Sequence, residues 1–121
     1  MIWRGTVGDT KEKLAEIARL GRYASSRRQD FSPSSPCVWC PHVIVDPETG
    51  LPFSDASAWQ LICKHLDECP ESFQEVRLRK PPGQIAFETV LTLPSNDRVY
   101  IKVHLFQGKA YGRSFHISTK E

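Results

Sequence analysis

The sequence predicts an α+β fold in which N-terminal helices pack on a curved antiparallel sheet whose strands lie within residues 84–118. Apolar residues recur at helical spacing in the first half of the chain, and apolar and polar residues alternate as in strands in the last third. Between them, three cysteines and a histidine have the spacing of a small Cys-Cys-His-Cys zinc module. We therefore expect a helix and linker at 1–36, a zinc-binding module at 37–76 and the sheet at 77–121, within one compact domain.

The composition is that of an ordinary globular chain. Of the 121 residues, 40% are hydrophobic and 25% are charged, so a real core can form. No apolar run approaches the roughly 18 residues that a membrane span requires, and the first residues lack the apolar stretch of a secretory signal. We therefore expect a cytoplasmic protein with reduced thiols, whose four cysteines are better interpreted as metal ligands than as disulfides.

The net charge of +2 conceals an uneven distribution along the chain. Residues 1–36 carry a net charge of +3, residues 37–76 carry −6, and residues 77–121 carry +5. Acidic surfaces repel phosphate backbones, so a nucleic acid is expected to bind the flanking parts rather than the middle. The alternative is that these are ordinary solvated faces.

The first part of the chain predicts one helix followed by a linker. Asp9 and Glu12 form a capping-box pattern, apolar residues follow at helical spacing, and Gly21 suits the helix end. Four arginines accompany this helix: Arg19, Arg22, Arg27 and Arg28. They either contact RNA or an acidic partner, or they form a solvated face. A serine- and proline-rich linker follows at 31–36.

The middle of the chain predicts one structural zinc ion. The proposed ligands are a Cys-x2-Cys pair and a His-x3-Cys pair, namely Cys37, Cys40, His65 and Cys69. A predicted helix capped by Ser54 or Asp55 carries the second pair, whose side chains project about 40° apart at ~100° per residue. Four protein ligands leave no position for water, so the zinc is expected to be structural rather than catalytic.

Two other side chains compete as ligands. Cys63 lies about 120° around the predicted helix from Cys69 at ~100° per residue, on the apolar stripe, so we interpret it as a buried structural cysteine. His42 closely follows Cys40 and is a second possible substitute. The alternative to any metal is a set of free thiols. Zinc modules also read nucleic acids, but acidic residues near the end of this helix disfavour groove binding.

The last part of the chain predicts three antiparallel strands, at about 84–93, 98–106 and 110–118. A two-residue loop at 108–109 would mix polar and apolar side chains on both faces, whereas a three-residue loop at 107–109 sorts them. The second register pairs Ile101 with Phe115, Leu105 with Tyr111, Tyr100 with His116, and Lys102 with Ser114. Arg113 then falls on the apolar side unless a bulge near Gly112 turns it out.

The polar face of this hairpin carries groups that can cleave RNA without a metal. His116 can donate or accept a proton near neutral pH. Lys102 or Arg113 can stabilise the charge that develops on a phosphorane oxygen, and Tyr100 can orient the phosphate or stack on a base. The nucleophile would be the 2′-hydroxyl of the RNA. The alternative is a solvated sheet face with an incidental histidine and lysine.

The segments Val99-Tyr100-Ile101-Lys102-Val103 and Gly112-Arg113-Ser114-Phe115-His116 resemble the C-terminal hairpin of bacterial toxin RNases. The most similar group is the motility quorum-sensing regulator type of type II toxin, within the RelE-like and barnase-like set. The similarity begins at Lys80 and runs to the end of the chain. Tyr100 matches the family's tyrosine, and His116 stands where many members carry a catalytic lysine.

The resemblance implies a small α+β endoribonuclease, a hydrolase that acts on messenger RNA, on or off the ribosome, and that a cognate antitoxin neutralises. The zinc segment at 37–69 is not part of the family pattern. Two other functions fit the sequence: a non-catalytic zinc protein that binds nucleic acid as a regulator or antitoxin, and an adaptor that docks through its acidic module.

Overall fold

The computed structural model describes residues 6–29 and 37–118, with side chains from residue 10 onward in the first range. The predicted linker at 31–36 lies outside the described residues. The helices are α1 (Thr6–Gly21) and α2 (Asp55–Glu68). The strands are β1 (Arg27–Arg28), β2 (Val38–Trp39), β3 (Gln74–Arg77), β4 (Ile85–Thr92), β5 (Arg98–Phe106) and β6 (Lys109–Ile117). The α+β class is therefore confirmed.

The six strands form one mixed sheet in the order β1-β6-β5-β4-β3, with β2 also paired to β6. The predicted strands β4, β5 and β6 are antiparallel to one another, and β3, which was not predicted, is antiparallel to β4. The short strands β1 and β2 run parallel to β6 along its outer edge. The antiparallel arrangement predicted for residues 84–118 is thus confirmed, and the complete sheet is mixed because β1 and β2 add to its edge. Strands of two residues are too short to show an alternating pattern.

The β5–β6 hairpin shows how the sequence sets the register. Ile101 pairs with Phe115, Tyr100 with His116 and Lys102 with Ser114, as predicted. The turn, however, contains two residues, Gln107 and Gly108, both with positive φ (52° and 75°), as a tight hairpin turn of the primed type requires. The register shifts between Lys102 and Val103, where Arg113 of β6 is an extra, bulged residue without a partner position on β5. Leu105 therefore pairs with Ala110 rather than with Tyr111.

Helix α2 follows its predicted boundaries. Ser54 is the N-cap and forms a reciprocal capping box with Ser57, and Cys69 is the C-cap before Pro70. The predicted apolar stripe is buried: Ala58, Trp59, Ile62, Cys63 and Leu66. The Cys63 thiol donates to the Ala18 carbonyl at 3.4 Å, and burial raises the pKa of Cys63. This thiol is therefore a packed core group, as predicted.

Helix α1 begins at Thr6, three residues before the predicted N-cap at Asp9. The assignment of Asp9 as the N-cap is wrong, because this residue lies inside the first turn. An acidic residue is favourable both as an N-cap and within the first turn of a helix, so the sequence pattern does not separate the two assignments.

Both helices pack on one face of the sheet, and one core joins all parts of the described chain. The core includes Ile17 of α1, Trp59 and Ile62 of α2, Phe87 of β4, Ile101 of β5 and Phe115 of β6. The aromatic rings of Trp39, Trp59 and Phe115 pack with centroid distances of 5.5–5.7 Å. Within the described parts of the chain, no helix has the length and apolar character needed to cross a membrane.

Candidate functional site

The sheet face that points away from the helices carries the predicted catalytic residues. Val99, Ile101 and Val103 of β5 are buried in the core, so strand alternation places Tyr100, Lys102 and His104 on the other side. On β6, His116 lies opposite Tyr100 and Ser114 lies opposite Lys102. We call these five residues (Tyr100, Lys102, His104, Ser114 and His116) the polar face.

Tyr100 and His116 form a cross-strand pair at one end of the polar face. Their ring centroids are 5.3 Å apart, with an interplanar angle of 46°. The Tyr100 hydroxyl donates to the Glu88 carboxylate on β4. Burial, followed by this hydrogen bond, raises the pKa of Tyr100 above its usual range. The phenol therefore stays protonated near neutral pH and does not act as a base, and its hydrogen is donated to Glu88, which leaves the ring face for stacking.

The hydrogen bond of His116 determines which of its two ring nitrogens can accept a proton. Nδ1 of His116 lies 2.9 Å from the Ile117 carbonyl oxygen. A carbonyl only accepts, so Nδ1 carries a hydrogen and Nε2 holds the lone pair of the neutral ring. His116 is half-buried, which leaves part of the ring accessible to solvent. The proton acceptor on this side chain is therefore Nε2.

Arg113 is the bulged residue, and the bulge moves its side chain to the polar face, as predicted. It is only 4% exposed. Its guanidinium donates to the Lys80 carbonyl at 2.7 Å and contacts Nδ1 of His104 at 3.5 Å. Burial lowers the pKa of Arg113. The predicted pair of Lys102 and Arg113 thus lies together, next to the segment that follows β3.

His104 is a residue that the site prediction missed. It is fully buried and stacks on Phe106, with ring centroids 5.3 Å apart. Burial, with a smaller contribution from the Arg113 charge, lowers the pKa of His104 to about 4. Nδ1 accepts from Arg113, so Nε2 carries the hydrogen, and Nε2 has no acceptor among the described residues. Strand alternation alone already places His104 beside Lys102 on the polar face.

A cleft of about 530 Å³ opens beside Arg113. Five cationic residues line it, together with a thiol and a hydroxyl: Arg77, Arg79, Lys80, Lys102, Arg113, Cys37 and Ser114. None of the described residues that line it is acidic. We call it the basic cleft. Arg77 is the last residue of β3, Arg79 and Lys80 follow it, and the packing of this segment over the polar face brings their charges here.

The proposed zinc ligands lie in different surroundings. Cys40 lies two residues before His42, which contacts Asp55 at the start of α2 at 3.3 Å. Cys37 lines the basic cleft, with Sγ 3.2 Å from the Gln29 carbonyl oxygen. At the other end of α2, roughly 20 Å away by helix rise, Cys69 caps the helix and Nε2 of His65 lies 2.9 Å from the Ser72 hydroxyl.

This arrangement does not bring the two pairs of proposed ligands together. Among the residues that the structure describes, no three histidine, cysteine, aspartate or glutamate side chains are close enough to share a metal ion. The zinc site stays a prediction from the Cys-x2-Cys and His-x3-Cys spacing.

The arginines that accompany α1 make contacts within the chain. Arg19 donates to Glu16 at 2.9 Å, and Arg22 forms an ion pair with Asp67 of α2. Arg27 donates to the Gly21 carbonyl at 3.0 Å and lies over the Trp59 ring at 6.0 Å from its centroid. These contacts indicate that the arginines stabilise the packing around α1, which favours this role over RNA binding.

The chain matches no protein-family model, no curated protein and no solved structure.

Proposed function

We propose that the protein is a metal-independent endoribonuclease that cleaves messenger RNA on the polar face of its sheet. The observation that supports this most is the pairing of His116 with Tyr100 on the same face as Lys102, beside a cleft whose described charged side chains are all cationic. An imidazole, a hydrogen-bond donor and cations on one rigid sheet are the groups that phosphodiester cleavage by an internal nucleophile needs.

In the proposed reaction the 2′-hydroxyl of one nucleotide attacks the adjacent phosphorus. Nε2 of His116 accepts the 2′-hydroxyl proton as the O2′–P bond forms. The imidazolium then returns a proton to the 5′-oxygen as the P–O5′ bond breaks. Lys102 and Arg113 stabilise the negative charge on the phosphorane oxygens. Tyr100, whose single O–H is donated to Glu88, stacks on a base. The products are a 2′,3′-cyclic phosphate and a 5′-hydroxyl end.

The resemblance of the hairpin to toxin RNases extends the proposal to partners. We propose that a cognate antitoxin neutralises the activity, that the protein acts in the cytoplasm and that it acts on free or ribosome-bound messenger RNA. A structural zinc ion held by Cys37, Cys40, His65 and Cys69 is a separate part of the proposal and contributes no catalytic step.

The test is RNA cleavage in excess chelator, with native mass spectrometry to record any bound metal. We expect the native chain to leave 2′,3′-cyclic phosphate ends. We expect His116→Ala to lose at least about 100-fold in rate, because positioned proton transfer contributes on that order. His42→Ala is the matched control, since His42 is an exposed histidine beside Asp55 at the start of α2, and it should cleave like the native chain. No cleavage by the native chain, with or without ribosomes, would overturn the proposal.

A second candidate is a nucleic-acid-binding protein without catalysis. One observation favours it: the cations of the basic cleft can hold a phosphate backbone, whereas the Glu88 carboxylate, which accepts from Tyr100 and lies opposite Lys102, places a negative charge close to the proposed reacting phosphate. RNA binding by both the native chain and His116→Ala, without cleavage by either, would support this reading.

A further inference from the structure

We propose that the basic cleft is a binding site for the terminal phosphate of an RNA chain. The proposal rests on the endoribonuclease function in that the ligand is RNA. It adds a phosphate position beside the reacting one, and Lys102 and Arg113, which line the cleft, serve both phosphates. Tyr100 and His116 do not line the basic cleft, so a phosphate held there is not the one that reacts.

The floor of the basic cleft is rigid. Arg113 and Ser114 are both buried on β6, and the Arg113 guanidinium is held between the Lys80 carbonyl and His104. A planar guanidinium in a fixed orientation is well suited to phosphate oxygens, because little side-chain freedom is lost when the ligand binds. The Ser114 hydroxyl adds a further hydrogen-bond donor at the same place.

The wall of the basic cleft is the segment between β3 and β4. Leu78 is buried, and its backbone N–H donates to the Gln84 carbonyl at 2.9 Å, which closes this segment just before β4 begins. Arg79 and Lys80 follow Leu78, and both side chains are exposed while lining the cleft. Their positive ends can therefore close on an anion that rests on the fixed floor.

The charge of the basic cleft distinguishes a terminal phosphate from an internal one. A phosphate monoester carries close to two negative charges near neutral pH, whereas an internal phosphodiester carries one. Five cationic side chains around about 530 Å³ favour the more highly charged group. Lys102, which lines the cleft, is two residues from Tyr100, roughly 7 Å along the strand. A terminal phosphate bound here would place a nearby phosphodiester beside His116.

The experiment measures binding of three probes to the full chain: inorganic phosphate, and a 2′-O-methyl oligonucleotide with either a 5′-phosphate or a 5′-hydroxyl. The 2′-O-methyl group prevents cleavage, so the result does not depend on the endoribonuclease function. We expect the 5′-phosphate to bind at least about tenfold more tightly than the 5′-hydroxyl form. Inorganic phosphate should compete with it and shift the amide signals of residues 78–80.

The variant Arg79→Gln/Lys80→Gln should lose the preference for the 5′-phosphate. Both side chains are exposed, so the change is expected to leave the fold intact. Lys64→Gln, at an exposed position of α2 outside the basic cleft, is the control and should keep the preference. Equal binding of both oligonucleotides by the native chain, even if weakened in the double variant, would make the cleft a contact for internal phosphates and overturn the proposal. Retained preference in the double variant would also overturn it.

Discussion

At the scale of single residues, His104 illustrates how the sheet environment sets chemistry that the residue type alone does not reveal. Its neighbours on the polar face, Tyr100 and Lys102, are partly exposed, yet His104 is buried against Phe106 and the Arg113 guanidinium. Burial and the adjacent positive charge both disfavour the imidazolium. The side chain is therefore neutral near pH 7, and it accepts a hydrogen bond from Arg113 at Nδ1.

We predict that the low pKa of His104 makes the protein lose stability in mild acid. The unfolded chain binds a proton below a pKa of ~6.5, whereas folded His104 does so only below about 4. The unfolded state thus holds more protons between these values. The free energy of unfolding should fall as the pH decreases through this window, by about 2 kcal/mol between pH 7 and pH 5. Burial also lowers the pKa of His65, which contributes with the same sign.

Urea unfolding at a series of pH values measures this dependence. His104→Leu should flatten most of the slope, because the variant has nothing to protonate at this position. His42→Ala changes an exposed histidine and should keep the native slope. A full native slope in His104→Leu would show that His104 is not the group that titrates.

At the scale of elements, long strands and α2 could be predicted because their patterns repeat over many residues. The strands β4, β5 and β6 and the capped helix α2 agree with the sequence to within a residue or two. The short strands β1 and β2 could not be predicted, because two residues pair with β6 through backbone groups that every residue type carries. The basic cleft was missed for a related reason, since it depends on where the segment after β3 packs.

The bulge at Arg113 is the element feature on which the candidate site depends. The two-residue turn and the one bulged residue together shift β6 against β5 by as much as the predicted three-residue loop would. The predicted pairs Tyr100–His116 and Lys102–Ser114 are therefore correct, although the predicted turn length is wrong. The bulge brings Arg113 beside Lys102. Gly112, next to it, lies against Trp39 of β2, and a Cβ at this position would come within 2.5 Å of the indole ring.

We predict that Gly112→Ala destabilises the protein by about 1–3 kcal/mol, because the new methyl group overlaps a tightly packed ring. Trp39 packs on Trp59 and Phe115 and donates to Asp55, so it has little freedom to move. In a Trp39→Leu background the same glycine change should cost much less, since the smaller side chain leaves room. Denaturant unfolding of the four chains of this cycle gives the coupling. Strictly additive effects would contradict the close contact.

At the scale of the whole molecule, the three segments defined by charge are joined by specific contacts. The acidic middle segment pairs Asp67 with Arg22 of the N-terminal segment, and Trp39 of the middle segment packs on Phe115 of the basic C-terminal sheet. The positive charge of the C-terminal part is concentrated in the basic cleft rather than spread over the sheet. The proposed RNA cleavage and the proposed binding of a terminal phosphate would therefore take place on one continuous surface.

The zinc prediction concerns the whole molecule, because Cys37 and Cys40 precede α2 in the chain whereas His65 and Cys69 lie at its C-terminal end. The prediction requires that the native chain carries one zinc ion. Zinc content by native mass spectrometry should then fall to zero in Cys40→Ser. It should stay at one in Cys63→Ala, since Cys63 is packed against α1 and is not a proposed ligand.

Removal of the ion should destabilise the N-terminal two-thirds of the chain, because metal binding adds to folding free energy. Full zinc content in Cys40→Ser would overturn the ligand assignment. A native chain without zinc would leave four free thiols and a fold that its aromatic core holds together.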